Sequence, residues 1–151
     1  MLSFPDNPRF TPRVGGGSDF YVRRLCTTMY GVPKDLPLQR FVGDSICQIG
    51  LGMHGIHFRF NKAGSINVDG GKWQIHDSSG AMVDESIGDA ALPSSRQQYR
   101  VHVILDSDVT SFKIDAPHSF TLTFACGHTL AIYDDSPQYE SFCILPDGIY
   151  I

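Results

Sequence analysis

Residues 54–68, HGIHFRFNKAGSINV, carry the alternation of apolar and polar side chains on which the predicted fold depends. Ile56, Phe58 and Phe60 fall on one face of an extended chain, and polar residues fall on the other. Successive side chains of a β-strand point to opposite faces of the sheet, so the pattern predicts a strand with one buried face. After the turn NKAGS the alternation resumes, which predicts an antiparallel hairpin.

A second stretch, residues 118–132, HSFTLTFACGHTLAI, repeats this pattern at a distance of 64 residues. Apolar positions of the two stretches, and of the strands that follow them, correspond in order: Ile56, Phe58, Phe60, Ile66, Val68, Trp73 and Ile75 align with Phe120, Leu122, Phe124, Leu130, Ile132, Phe142 and Ile144. The sequence therefore predicts an internal duplication, with one unit in residues 42–76 and the other in residues 105–145.

The connections around the hairpins complete the predicted fold. KWQIH, residues 72–76, extends the first hairpin to a predicted three-strand meander. Between the units, SSRQQYRVHVIL, residues 94–105, predicts a short helix capped by Ser94 or Ser95, although the β-branched run VHVI favours a strand. The predicted class is α+β, predominantly antiparallel β, with two similar hairpin or meander units and one short helix. The units either pair their edges in one curved sheet or stack as a sandwich.

Length and composition predict one folded domain with an N-terminal extension. A chain of 151 residues with 42% hydrophobic and 19% charged residues suits a single packed core. Residues 1–35 form the predicted extension, because their first half holds three Pro and a Gly triplet, and residues 36–151 form the β-rich domain. No apolar run reaches the roughly 18 residues of a membrane-spanning helix, and no secretory signal opens the chain. We therefore expect a cytoplasmic protein without a membrane partner.

The two parts of the chain differ in charge. Residues 1–40 carry six basic and three acidic residues, a net charge of +3, whereas residues 41–151 carry six basic and thirteen acidic residues, a net charge of −7. An acidic body repels the phosphates of nucleic acids and attracts basic proteins. The sequence thus predicts a protein partner with a basic surface and no binding of nucleic acid.

Acidic and aromatic residues near the end of the chain are the candidate partner-binding residues. Exposed aromatic side chains anchor many protein interfaces, and complementary charges speed the encounter of two proteins. We therefore predict a protein-binding module. The residues assigned to this role are Asp134, Asp135, Tyr139 and Glu140, together with Asp106 and Asp108 at the start of the second unit.

Two alternative functions stay open on the sequence alone. His54 and His118 occupy matching positions in the two units, and with Asp115 they could act as acid and base or bind a ligand. This alternative, a small enzyme or ligand binder, requires a concave pocket between the units. The other alternative is a homodimeric structural protein whose exposed sheet edges pair across a twofold axis.

The sequence predicts no cofactor, no metal and no catalytic residues. It has no P-loop, no dinucleotide-binding glycine motif and no nucleophile elbow. His54 and His57 are three positions apart, which places them on opposite faces of a strand. Cys126 and His128 flank a turn and could reach one ion, but the sequence offers no second pair of ligands. The four cysteines include no C-x-x-C pair, so buried free thiols are expected.

The C-terminal stretch GHTLAIYDDSPQYESFCILPDGIYI combines a hairpin with Gly in its turn, a short acidic loop and the letters YESF before a final strand. It resembles a group of small uncharacterised bacterial β-rich domains, some of which are similar to immunity proteins of toxin–immunity systems. The resemblance covers residues 36–151 in outline, and four residues chiefly carry it: Tyr139, Glu140, Ser141 and Phe142. It implies a binder that neutralises a basic toxin, and it implies no catalytic residues.

Overall fold

The described part of the chain forms ten short β-strands. The structure, a computed structural model, describes residues 31–86, 98–136 and 139–151. Five strands belong to the first half: β1 (Ile46–Leu51), β2 (Gly55–Phe60), β3 (Ser65–Asp69), β4 (Lys72–His76) and β5 (Met82–Glu85). Five belong to the second half: β6 (Val109–Asp115), β7 (Ser119–Phe124), β8 (Thr129–Tyr133), β9 (Cys143–Leu145) and β10 (Ile149–Tyr150).

These strands form two five-stranded sheets. The strand order is β1-β2-β3-β9-β10 in the first sheet and β5-β4-β8-β7-β6 in the second. Every pairing of neighbouring strands is antiparallel within the described residues, which confirms the predicted predominance of antiparallel β structure. Each sheet thus combines three strands from one half of the chain with two strands from the other.

Two short 3₁₀ turns precede the hairpins, at Leu38–Phe41 and Val101–Ile104. The described residues contain no helix of seven or more residues, so the α+β part of the predicted class is not confirmed. VHVI forms the second 3₁₀ turn, in which the first and last residues lie on one side and are both buried. The predicted caps Ser94 and Ser95 lie outside the described residues. No helix of the described chain is long and apolar enough to cross a membrane.

The predicted three-strand meander is wrong at its third strand. β4 leaves the sheet that holds β2 and β3 and pairs with β8, where Trp73 lies opposite Ile132. The open side of β3 is taken by β9, with Ile66 opposite Ile144. Alternation of side chains specifies which face of a strand is buried and does not specify its neighbour. Both arrangements would bury Trp73, so the local pattern could not distinguish them.

Residues that align in the sequence occupy equivalent pairing positions. Ile75 of β4 lies opposite Leu130 of β8, and Ile144 of β9 lies opposite Ile66 of β3. These two pairs consist of the same aligned positions with the halves of the chain exchanged. The recurrence supports the internal duplication, which stays a prediction.

Both sheets contribute side chains to one hydrophobic core. The ring of Phe41, from the first 3₁₀ turn, lies 4.5 Å from that of Phe60 in the first sheet, measured between ring centroids. The ring of Phe120 in the second sheet lies 5.2 Å from that of Phe142, the residue before β9. Aromatic pairs at these separations add to the stabilisation that burial provides. The two sheets therefore pack around a shared core and do not form one curved sheet.

The two halves of the chain also meet where they enter β1 and β6. The N–H of Gly43 donates to the carbonyl oxygen of Val109 at 2.8 Å, and the N–H of Asp106 donates to the carbonyl oxygen of Ile46 at 2.9 Å. Two isolated parallel bridges accompany these bonds. We call this end of the sheets the crossing end. It also holds four turns, at residues 61–64, 77–81, 125–128 and 146–148.

Asp44 joins the crossing end to the first hairpin. Its buried carboxylate accepts hydrogen bonds from the backbone N–H groups of Ser45 at 2.9 Å, Lys62 at 2.8 Å and Ala63 at 2.7 Å. Burial raises the pKa of Asp44, but the three hydrogen bonds and the charge of Lys62 lower it by more. The pKa of Asp44 therefore lies below its ordinary value of 3.8.

We expect Asp44→Asn to lower the free energy of unfolding by about 1–3 kcal/mol near neutral pH, because an amide nitrogen cannot accept these bonds. The folded pKa lies below the unfolded one, so this stabilisation is present above pH 3.8 and is lost as the pH falls through the folded pKa. Urea denaturation should therefore show a difference between wild type and variant that shrinks as the pH is lowered. Asp108→Asn, at an exposed carboxylate, is the control. A difference that is independent of pH would contradict this account.

Candidate partner-binding surface

The ends of the strands opposite the crossing end carry the β1–β2, β3–β4, β6–β7 and β8–β9 connections, and we call this region the loop end. The strand register places these connections side by side within each sheet. Between the sheets, Gly71 approaches the backbone of Ser141 so closely that an added Cβ atom would lie 2.4 Å from the Ser141 carbonyl oxygen. The loop end holds residues 52–54, 70–71 and 116–118 and the β8–β9 connection, described at 134–136 and 139–142.

Exposed apolar side chains are present at the loop end. Of the six large hydrophobic side chains that are exposed in the described residues, three lie in or directly beside it: Leu51 (51% exposed), Met53 (68%) and Tyr139 (75%). Removing apolar area from water contributes about 25 cal/mol per Å². A surface that keeps such groups exposed therefore gains free energy when a partner covers it, which is typical of protein-binding surfaces.

Carboxylates lie at the same end of the molecule. Asp115, Asp135 and Glu140 are exposed there, and Asp69 ends β3 beside them. The negative charges of two of these carboxylates affect the pKa of the buried Cys143 thiol. Burial raises the pKa of Cys143, and the negative charges of Asp69 and Glu140 raise it further. The loop end thus combines exposed apolar groups with negative charge.

Asp134 differs from its neighbours because both of its carboxylate oxygens are bound within the protein. Oδ1 accepts a hydrogen bond from the Ser141 hydroxyl at 2.7 Å, and Oδ2 accepts one from the backbone N–H of Gly31. The carboxylate thereby joins the β8–β9 connection to the segment that enters the domain. This geometry favours a structural role for Asp134, whereas the adjacent Asp135 is exposed.

Asp106 and Asp108 lie at the crossing end, away from the other predicted partner-binding residues. They precede β6, and Asp115 is the last residue of that strand. β6 has seven residues, so about 20 Å of extended chain separates its two ends. The structure therefore brings together Asp134, Asp135, Tyr139 and Glu140 and places Asp106 and Asp108 elsewhere.

His54 and His118 lie in exposed turns of the loop end, at equivalent positions in the two sheets. Their backbone carbonyl oxygens accept hydrogen bonds from the N–H groups of Gly70 at 3.1 Å and Asp134 at 2.8 Å. The N–H of His118 donates to the carbonyl oxygen of Asp115 at 2.8 Å, which closes the β6–β7 turn. No hydrogen bond between described residues joins the side chains of this histidine pair and Asp115. The ligand-binding alternative therefore stays a prediction.

A concave feature is present at the crossing end. It is an open groove of about 430 Å³, lined by Arg40, Asp44, Lys62 and neighbouring residues. Arg40 is paired with Asp147 and also donates to the carbonyl oxygen of Leu145 at 3.3 Å. Arg40 and Asp44 of this groove are thus engaged in the fold. Within the described ranges, no three His, Cys, Asp or Glu side chains are grouped to hold a metal ion.

Sequence reasoning missed Met53 and Asp69 as parts of this surface. Met53 stands in GLGMHG, a glycine-rich turn in which an apolar side chain has no core to reach, and this was a usable signal. Asp69 carried no comparable signal, because a carboxylate at a strand end is common.

We expect Asp134→Ala to lower the free energy of unfolding by about 2 kcal/mol, because it removes two hydrogen bonds to a charged group. Asp135→Ala, at the adjacent exposed residue, should change the stability by less than about 0.5 kcal/mol. Chemical denaturation of the two variants beside the wild type measures both values. Equal stabilities of the two variants would contradict the structural role of Asp134.

Comparison with known proteins adds no identification. No protein-family model matches the chain, and neither a curated protein nor a solved structure matches it significantly. The resemblance to immunity-type domains therefore depends on the four residues of YESF. Tyr139 and Glu140 are exposed, whereas Ser141 and Phe142 are buried. Half of that signature belongs to the surface and half to the packing of the domain.

Proposed function

We propose that this protein is a binding module that recognises a protein with a basic surface through its loop end. The observation that carries the proposal is the coincidence, at one end of the sheets, of exposed apolar side chains with exposed carboxylates. Tyr139 is the most exposed of these apolar residues, and Glu140 adjoins it. Asp135 and Asp115 add negative charge at the same end.

The two kinds of group would contribute differently to binding. An aromatic side chain such as Tyr139 contributes to affinity when a partner buries it, because few residues supply most of the binding energy of an interface. Exposed carboxylates chiefly raise the association rate and exclude acidic partners. Binding should therefore weaken with salt mainly through a slower association, since salt screens charges over about 10 Å at 0.1 M.

A specific form of this proposal is a cytoplasmic bacterial immunity protein that blocks a basic toxin. Its support is the resemblance carried by Tyr139 and Glu140, together with the net charge of −7 in residues 41–151. Such a protein acts by covering its target, so it needs a complementary surface and no reacting group. The exposed histidine turns of the loop end would then belong to the contact surface.

The test compares two double variants with the same change in charge. Tyr139→Ala with Glu140→Lys alters the loop end, and Met82→Ala with Asp108→Lys alters exposed residues outside it. Tagged wild-type protein is used to capture partners from cells of the source organism, and mass spectrometry identifies them. We expect the loop-end variant to bind the purified partner at least about tenfold more weakly, because it removes an exposed aromatic anchor and reverses a charge. The control variant should bind like the wild type.

Several outcomes would overturn the proposal. Equal binding by both double variants would show that the loop end is not the contact surface. An acidic partner would contradict the charge argument. A chain that forms homodimers and captures no other protein at low or moderate salt would favour the structural alternative, in which sheet edges pair between two copies.

A further inference from the structure

Cys126 and His128 form a pair of reactive side chains at the crossing end, outside the proposed binding surface. The Sγ atom of Cys126 lies 3.4 Å from Nδ1 of His128, a distance at which the thiol can donate its proton to the ring. Cys126 is exposed, so a dissolved reactant can reach the sulfur. When Nε2 carries the ring proton, Nδ1 is the acceptor.

The backbone holds this pair in place. The N–H of Cys126 donates to the hydroxyl oxygen of Ser107 at 3.0 Å, and the carbonyl oxygen of His128 accepts from the N–H of Phe124 at 2.9 Å. Between them Gly127 has φ +90°, a left-handed conformation that brings both side chains to one side of the turn. The thiol and the imidazole are therefore oriented by the β7–β8 turn itself.

The carboxylate of Asp77, on the neighbouring β4–β5 turn, lies close enough to the imidazole of His128 for the two side chains to interact electrostatically. The hydroxyl of Ser79 is the largest cause that lowers the pKa of Asp77, followed by the N–H of Ala81, and the charge of His128 adds to them. The two turns are in contact, because a Cβ atom on Gly127 would lie 3.2 Å from Cβ of Ser78. The two turns therefore place the carboxylate of Asp77 near the imidazole that faces Cys126.

The chain contains a second exposed thiol, that of Cys47, whose reactivity can be compared with that of Cys126. Cys47 is also exposed, and its Sγ atom lies 3.4 Å from the carbonyl oxygen of Arg59, whereas Sγ of Cys126 lies 3.7 Å from the carbonyl oxygen of Val103. Both thiols thus have a carbonyl neighbour, and of the two only Cys126 has a recorded imidazole partner among the described residues. Any difference in reactivity between them reports on that partner.

We propose that Cys126 is a thiol-exchange site that reacts with low-molecular-weight disulfides, with His128 as its acid–base partner. Nδ1 takes the proton as Sγ attacks one sulfur of the disulfide, a new S–S bond forms, and the old S–S bond breaks. The leaving thiolate then takes the proton from His128 and departs as a thiol. Cys126 is oxidised to a mixed disulfide, and one sulfur of the reactant is reduced, so atoms and electrons balance. This site does not depend on the proposed binding function.

The test uses oxidised glutathione on the reduced full-length protein, followed by peptide mapping at short times. We expect Cys126 to be modified roughly tenfold faster than Cys47 in the same molecule, less than the hundredfold that a positioned acid or base commonly provides, because the pair is exposed to water. In the His128→Asn variant the Cys126 rate should fall to that of Cys47, and the Cys47 rate should stay unchanged. Cys126→Ser identifies the mapped site.

Equal rates at Cys126 and Cys47 in the wild type would overturn the proposal, as would an unchanged Cys126 rate in His128→Asn. If that variant does not fold, urea-unfolded wild-type protein provides the second measurement. Unfolding removes the turn that orients the pair, so the ratio of the two rates should fall towards one. A ratio that persists in urea would show that the local sequence, and not the folded geometry, causes the reactivity.

Discussion

Backbone hydrogen bonding where the two halves of the chain cross determines the arrangement of everything else. A buried backbone N–H or carbonyl group requires a hydrogen-bond partner. Here each half of the chain supplies partners to the other: the N–H of Gly43 donates to the carbonyl oxygen of Val109, and the N–H of Asp106 donates to that of Ile46. Gly43 has φ +84° and Asp106 has φ +56°, so both halves have a residue in the left-handed backbone conformation at the equivalent position. Glycine adopts this conformation freely, and Asp tolerates it better than most residues do. The β1–β2 and β6–β7 hairpins therefore start from one point, and their turns, at residues 52–54 and 116–118, lie at the opposite end.

The connections between the two sheets also lie at the loop end as a consequence of this arrangement. The first connection consists of Gly70 and Gly71 alone, whereas the equivalent one spans residues 134–142. The longer connection supplies Tyr139 and Glu140, which the shorter one has no room for. Surface loops on a rigid scaffold commonly carry binding residues, because they can change without disturbing the core. The two halves of the molecule therefore differ most, in the function that each can carry, at these two connections.

The sequence predicted the local structure well and the long-range pairing poorly. Alternation identified the strands around Phe58 and Leu122, because one buried face leaves a period of two. It could not reveal that β4 pairs with β8, since the pattern of Trp73 and Ile75 is the same beside either neighbour. VHVI was ambiguous between helix and strand and became a 3₁₀ turn through burial of its ends, which is a tertiary effect. For the surface, the acidic stretch near the end of the chain predicted Tyr139 and Glu140, but Met53 needed the strand register to be placed at the same end.

The carboxylates show why residue type alone does not assign a role. Asp44 and Asp134 accept hydrogen bonds from backbone N–H groups, and Asp134 also accepts one from a side-chain hydroxyl. Removing such an acceptor leaves donors without partners, so these residues act on stability. Asp135 and Glu140 are exposed, and their charge is available to a partner. Asp134 and Asp135 are adjacent in the chain and identical in chemistry. What separates them is that the fold brings the N–H of Gly31 and the hydroxyl of Ser141 to Asp134, whereas Asp135 is exposed, and this depends on how the β8–β9 connection crosses between the sheets.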